Sequence, residues 1–526
     1  MLRWVTKNDP PVDPAATKQP TLRALARHEQ WIDGPPEPEL LQMVRRRIET
    51  RPRAKVVVIG GPDGDSFTAV LKARFPEIQV VRVSSERDPS EVHTELSILN
   101  PYNLVVDLAD GSAAEQVDLF RRTFLHLGRG SDYVARRLIE AESGEASGLA
   151  PTVRELLDRA RTTPFVRTDP EGVREIAVLG EHVGRIVERG HAVAVRNRRR
   201  VRPKLRDHEL NPIIAARPEI GEVLETRPGL VLPSRCVYEE GPGPGGRDVP
   251  VDPYRLAEFD VPELHLRRYS GPVCGRGQVV EKDGLLMPDT YRHHRGVRLT
   301  NMYVNDVSPI FGHVRVPIGD PRPLEGAYFH LDSEWPGHFG HMMTEQISRL
   351  WAWDHAKALE PDLKVLTTLP KSRENQQLQD WELAILDAYG ISRDDVAVRP
   401  ERLYAATPMF SCPEYVHPDI TSEVWWRIGR HLAAQASEIE RPRSVFVSRR
   451  QSLKRACRNV AEVERFFADR GFAVVYPEDH PMSEQAALFR GADVIAGFAG
   501  SGLFSMAFCE EPTSFIMILP ESYTAR

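Results

Sequence analysis

Two histidines and a carboxylate stand at a spacing that can do chemistry. In the stretch "WPGHFGHMMTEQISRLWAWD", His341 follows three residues after His338, and Glu345 follows four residues after His341. On a helix, His341 and Glu345 are i and i+4 and share a face. A carboxylate so placed orients the imidazole and raises its basicity, as a proton-transferring base requires. Ser348 and Arg349 continue that face, while Met342, Ile347, Leu350 and Trp351 supply packing surface. His338 falls just before the helix, at a strand-to-helix turn. A metal site would need three ligands in open geometry. The spacing is not H-E-x-x-H, which argues against metal. A third reading is a plain helix start whose histidine bonds backbone carbonyls, and spacing alone does not separate it from the base.

A second group of residues suits phosphate. "DVIAGFAGSGLFSMAF" reads as strand, glycine turn and helix start. Gly497, Gly500 and Gly502 let a backbone approach a ligand closely. Ser501 lies where the new helix presents unpaired N–H groups and its positive dipole end, which suits a diphosphate. A tight strand-to-helix turn needs the same glycines with no ligand. "SVFVSRR" ends another strand with Ser448, Arg449 and Arg450 at its C-terminal edge. A guanidinium there pairs with phosphate. Arg455 and Arg458 follow in the next loop.

The elements that must position these groups repeat along the chain. From Ala54 onward, "KVVVIGG", "IQVVRV" and "YNLVVDLADG" are strands separated by the helical stretch "DSFTAVLKARF" and followed by "SAAEQVDLFRRTFLHL". Strands alternating with helices predict a doubly wound parallel sheet, a Rossmann-like domain at 41–140. Its turn, "GGPDGDS", lacks dinucleotide spacing, and no acidic residue ends the second strand. It resembles a methyltransferase-type sheet and reads as a structural or docking domain. Residues 1–40 read as a flexible, proline-rich arm. Residues 141–264 read as a helical and basic linker region, with "EEGPGPGGRDVPVDP" a linker by composition. Its basic tract, 196–206, carries no interleaved aromatics for base stacking. It reads first as solvated linker and second as a peripheral contact to an anionic membrane face.

Two more α/β patterns follow. The first, at 265–435, includes "GAYFHLD", "LKVLTTLP", "ENQQLQDWELAILDAYG" and "RLYAATPMF". The second, at 436–526, includes "RSVFVSRR", "NVAEVERFFADRG", "FAVVYP", "PMSEQAALFRGA" and "SFIMILP". Two such halves enclose a cleft outside their strand C-termini.

Composition narrows the function classes. The chain has 526 residues, enough for several domains, and 41% apolar residues, enough for packed cores. A formal charge of −6 does not mark a nucleic-acid-binding protein. Five scattered cysteines without a C-x-x-C pair point to neither a disulfide framework nor structural zinc. The first twenty residues lack an apolar core, and no apolar run reaches membrane-spanning length. The expectation is a cytoplasmic, soluble protein.

The blocks "GHFGHMMTEQISRLWAW", "VFVSRR" and "NVAEVERFFADRGFAVVYPEDHPMSEQAALFRGADVIAGFAGSGLFSMAF" together resemble glycosyltransferase family 61, over residues 265–526. That resemblance implies a GT-B-like pair of Rossmann-like domains, here preceded by the additional N-terminal Rossmann-like domain. It implies a nucleotide-sugar donor in the C-terminal half, inversion at the anomeric carbon, no metal, and a glycan or lipid-linked glycan acceptor in surface polysaccharide biosynthesis. His341 and Glu345 match the family's first block and take the catalytic role. Arg449, Glu478, Gly500, Ser501 and Gly502 match donor-side positions, and Asn459 and the pair Glu484–Gln485 match further positions of the family. Glu478 is the expected contact to the donor's nucleoside. Val460 stands where a glutamate usually follows Asn459, and the usual asparagine after the glycine turn is absent. Members of the family generally continue beyond the point where this chain stops. Those departures define the alternative: a non-catalytic, glycosyltransferase-like protein that binds a glycan or serves as scaffold.

Overall fold

The structure, a computed structural model, describes residues 38–519 apart from short stretches at 61, 85–87, 110–111, 137, 140–145, 148, 163–177, 234–257, 316–320, 371–376, 400–402, 451–456 and 512–513. Most of the expected N-terminal arm, the "EEGPGPGGRDVPVDP" stretch and Arg455 lie outside the described residues. The chain divides into two compact units. One comprises residues 1–203 with 306–313, the other residues 204–305 with 314–526.

The first unit runs α1 (Pro38–Glu49), β1 (Lys55–Ile59), α2 (Pro62–Arg74), β2 (Gln79–Val83), α3 (Pro89–Leu99), β3 (Tyr102–Asp107), α4 (Ala113–Thr123), β4 (Leu127–Arg136), α5 (Leu149–Thr162), β5 (Val183–Arg189) and β6 (Ala192–Asn197). Its sheet has the order β2-β1-β3-β4-β6-β5. The first four strands are parallel. β6 runs antiparallel to both neighbours. Val56 through Ile59 are completely buried, as a parallel strand covered on both faces must be. α4 begins with a capping box between Ser112 and Glu115.

This sheet extends past the expected boundary at 140. β5 and β6 come from the stretch read as linker, because Gly190, at φ 52°, closes a hairpin between them. The run of arginines masks that alternation in the sequence. The basic tract 196–206 is likewise built into the fold. Arg196 donates to Asp132 at 2.9 and 3.1 Å, and Arg199 pairs with Glu181 at 2.9 Å. In the second unit, the buried Lys204 ammonium donates to the Leu299 carbonyl at 2.6 Å, and Arg206 pairs with Glu209 at 3.1 Å. These pairings take up several of the charges that a membrane surface would have met.

The second unit opens with α6 (Asp207–Ala216), and two of its sheets bear on the site. The larger sheet uses β7 (Gly221–Arg227), β8 (Leu264–Tyr269), β9 (Tyr328–His330), β10 (Lys364–Thr368), β11 (Val396–Arg399) and β12 (Met409–Ser411), in the order β7-β8-β12-β9-β10-β11. β12, β9, β10 and β11 are parallel, while β7 and β8 form an antiparallel extension. β7 also comes from the expected linker. The smaller sheet uses β13 (Ser444–Val447), β14 (Ala473–Val475), β15 (Val494–Phe498) and β16 (Ser514–Ile518). It is wholly parallel, in the order β14-β13-β15-β16.

Between the strands lie helices: a continuous helical segment over 339–359 (α7), then α8 (Asp380–Tyr389), α9 (Ile420–Ala434), α10 (Val460–Ala468) and α11 (Met482–Arg490). One apolar core joins both sheets' helices. Met343, Ile347 and Leu350 of α7 and Ile428 and Leu432 of α9 cluster with Ala486 and Ala487 of α11 and with Phe508. Among the described residues, no helix is long and apolar enough to cross a membrane.

Candidate active site

All four strands of the smaller sheet point the same way, so their C-terminal ends share one edge. Three of those ends supply the wall of a cavity of about 520 Å³. β13 contributes Val447 to Arg450, the turn after β14 contributes Pro477, Glu478 and His480, and the turn after β15 contributes Phe498 and Gly500 to Gly502. Phe339 of α7 and Trp381 of α8 close it from the other sheet's helices, with their rings edge to face at 5.6 Å. The structure thus brings together Arg449, Glu478, Gly500, Ser501 and Gly502, which span more than fifty positions of sequence.

The glycines in this turn have different causes. Gly500 faces Arg449: a Cβ there would lie 2.4 Å from the Arg449 Nη1. That nitrogen donates to the Ala499 carbonyl at 2.8 Å, which lays the guanidinium across the turn. Gly497 serves packing instead, since a Cβ would lie 2.6 Å from the Val447 carbonyl oxygen. Gly502 meets only ordinary contacts, 3.4 Å to Pro477. Ser501 opens a 3₁₀ helix over Ser501–Phe508 whose start carries no side-chain cap, and Ser501 and Gly502 line the cavity.

The neighbouring charges are partly neutralised. Arg450 pairs with Asp479, approaches Glu478 at 3.8 Å, and lies over the Tyr476 ring at 4.8 Å. Glu464 accepts from both Ser448 and Tyr476. Asn459 donates to Glu462 at 3.1 Å, on α10 rather than toward the cavity wall. His480 and Glu484 form a second i, i+4 pair at 2.9 Å. The spacing rule that singled out His341 would have found it in the sequence.

α7 places the other group. It begins after His338, is α-helical over Phe339–His341, widens to π over Met342–Gln346 and tightens to 3₁₀ over Ile347–Ala352. Side chains bond the helix carbonyls along this segment. The Thr344 hydroxyl donates to the Gly340 carbonyl, and Ser348 and Arg349 both donate to the Glu345 carbonyl. Side chains that bond helix carbonyls compete with the regular ladder. π-segments of this kind recur at functional sites.

The i, i+4 pair forms in this geometry, with His341 Nδ1 donating to Glu345 Oε1 at 2.6 Å. The His341 ring stacks on Trp335 at 5.8 Å and meets His338 edge to face at 4.6 Å. His341 stands two residues beyond Phe339 and one beyond Gly340, whose Cβ would touch the Ser501 Cβ at 3.4 Å. His341 and Glu345 are not among the residues that line the cavity; the helix that carries them reaches it through Phe339.

Around Glu345 lies a buried polar cluster that spacing did not reveal. Arg292 Nε donates to the same Glu345 Oε1 at 2.6 Å. Burial pushes the Glu414 carboxyl up to about 8, and the Glu345 charge pushes in the same direction. Burial also raises Glu334. Arg349 is fully buried, with a nitrogen on the Asp332 carbonyl. Arg292, Glu334 and Glu414 come from loops without periodicity, so no local pattern marks them. Among the described residues, no three His, Cys, Asp or Glu side chains group so as to hold a metal ion.

Residues 339–516 match the family model described as Glycosyltransferase 61. The match covers the C-terminal part of the chain and includes every residue of the cavity wall. No curated protein matches the chain. Among solved structures, the chain is similar to the MycE methyltransferase from the mycinamycin biosynthetic pathway, at 15% identity over 35% of this chain and 56% of that one, with a TM-score of 0.26. It is also similar to a protein-(glutamine-N5) methyltransferase from Alicyclobacillus acidocaldarius, at 15% identity over 31% of this chain and 93% of that one, with a TM-score of 0.20. The chain spans about half the length of the solved structures it matches first, 46–56%. Likeness at these TM-scores carries no argument about function.

Proposed function

From a C-terminal part that carries the glycosyltransferase 61 pattern, we propose an inverting glycosyltransferase that moves a sugar from a nucleotide-sugar donor to a hydroxyl of a glycan. The observation that carries the reading is convergence. Arg449, Glu478 and Gly500 to Gly502 line one cavity at the C-terminal edge of a parallel sheet, and the helix that lends Phe339 to that cavity carries a histidine–carboxylate pair. Open α/β sheets bind ligands at that edge.

In this reading the donor's diphosphate lies on the uncapped start of Ser501–Phe508, with Arg449 beside it. Glu478 faces the nucleoside, and the two sheets of the second unit act as the halves of a GT-B-type enzyme. His341, oriented through Nδ1 by Glu345, takes the proton of the acceptor hydroxyl at Nε2. The hydroxyl oxygen bonds to the anomeric carbon from the face opposite the diphosphate. The bond from that carbon to the diphosphate oxygen breaks, so configuration inverts. Leaving-group charge passes to the arginine and the helix amides, with no metal required. The acceptor is a growing surface polysaccharide or its lipid-linked precursor at the inner membrane face.

The test is a panel of nucleotide sugars read by thermal shift, then by transfer and hydrolysis, with the product anomer assigned by NMR. Stabilisation by one donor and an inverted product support the reading. A protein that binds oligosaccharide but neither binds nor turns over any nucleotide sugar overturns it in favour of a glycan-binding scaffold.

A further inference from the structure

We propose that Arg292, which lies outside the family-matching segment, is a positioning residue for the His341 base. It holds the carboxylate oxygen that His341 also uses, and its positive charge offsets the basicity that Glu345 confers on the imidazole. The proposal deepens the glycosyl-transfer reading and rests on it.

One oxygen, Glu345 Oε1, accepts from Arg292 Nε and from His341 Nδ1, each at 2.6 Å. The other oxygen, Oε2, is buried and has no hydrogen-bond partner among the described residues. The carboxylate is therefore located wholly by the guanidinium and the imidazole. Because Nδ1 is committed to Glu345, Nε2 is the ring nitrogen left for an acceptor. A carboxylate alone would pull the imidazole toward its charged form, and a base that is already protonated cannot accept a proton. A cation on the same oxygen opposes that pull.

The other groups around the pair do not replace Arg292. On α7, His338 meets the His341 ring edge to face, and Arg349 donates through Nε to the Glu345 backbone carbonyl at 3.2 Å, not to its carboxylate. His293, next to Arg292, is held below the usual histidine range by burial and then by the Arg292 charge. Glu334 faces His341 and is raised by burial. Glu414 is raised to about 8, so at neutral pH it is largely the neutral acid and adds little second negative charge. Its Oε1 is buried without a partner among the described residues, a further sign that this pocket does not solvate an extra anion. Trp335 covers the open ring face at 5.8 Å.

The test follows the imidazole resonances of the full chain by ¹⁵N NMR between about pH 5 and pH 9, with His341 assigned by its loss in His341→Gln. In parallel, the pH dependence of kcat/KM for transfer is recorded. Arg292→Gln should raise the His341 midpoint and move the acid limb of the rate profile upward with it. Glu345→Gln should move both downward. Arg292→Lys keeps a cation and should leave the midpoint at the wild-type value, with kcat reduced and KM little changed because the Nε geometry is lost. The inference is overturned if Arg292→Gln leaves the midpoint in place in a folded protein, or if Arg292→Lys shifts it as far as the glutamine variant. Failure of the underlying reading looks different. The midpoints move as stated, yet no nucleotide sugar supports transfer, or His341→Gln retains full transfer.

Discussion

Replacing Gly500 with alanine should separate ligand binding from folding. The added Cβ would lie 2.4 Å from the Arg449 Nη1, so the guanidinium must leave its place against the Ala499 carbonyl. The backbone itself has no objection: φ is 167°, extended conformation open to any residue. Arg449 lies against the uncapped helix start, so on the proposed reading the variant costs the donor a charge-assisted hydrogen bond, worth about 1.5–3 kcal/mol. Nucleoside-diphosphate affinity should fall roughly ten- to a hundredfold, with the melting temperature nearly unchanged. Gly500→Val should act the same way with a larger displacement. Gly497→Ala is the matched contrast. Its Cβ would strike the Val447 carbonyl oxygen at 2.6 Å and the Leu503 side chain at 2.9 Å, inside the core. It should cost stability, about 1–3 kcal/mol by overpacking. Gly502→Ala meets only 3.4–3.5 Å contacts and should change little. Isothermal titration with a nucleoside-diphosphate panel and a thermal melt of each variant decide the matter. Unchanged affinity in folded Gly500→Ala would refute a donor role for Arg449. A melting loss equal to that of Gly497→Ala would make Gly500 a packing residue.

Three further outcomes are expected. His341→Ala should lower kcat by ~10²–10⁴-fold while donor affinity stays near wild type, whereas His338→Ala should act on stability or acceptor KM; full turnover in folded His341→Ala would send the search for the base elsewhere. The Glu414 carboxyl rises from 4.5 to about 8 on folding, so the folded state keeps a proton that the unfolded chain has released. Stability contributed by this group should therefore fall as pH rises from about 4.5 to about 8, and melts of Glu414→Gln across that range should be flatter than wild type. In the first unit, His182 and His313 stack with ring nitrogens 3.2 Å apart, and burial lowers both to about 4. Stability from this pair should be lost as pH falls from about 6.5 through about 4, and the double change His182→Gln/His313→Gln should remove that loss.

The alternation of β-branched runs with 3.6-periodic stretches was enough to place most of the strands and helices, because those patterns are local and repeat within a few residues. The His341–Glu345 pair was legible for the same reason, since i, i+4 is a property of one helix. The glycine turn and the SRR strand end were legible as phosphate-type residues, each by itself. Tertiary structure decided the rest. That Arg449 and Gly500 exclude a side chain between them depends on two parallel strands lying side by side, a pairing about fifty residues apart. Arg292 meets Glu345 across 53 positions, from a loop whose sequence repeats nothing. The strands at 183–197 hid behind their arginines, of which Arg196 pairs with Asp132, brought in from β4. Even the π-segment of α7 was not readable from spacing, nor were the carbonyls that Thr344, Ser348 and Arg349 reach. Local periodicity is written into neighbouring residues; partners far apart in sequence become neighbours only when burial of the apolar faces brings the strand ends together.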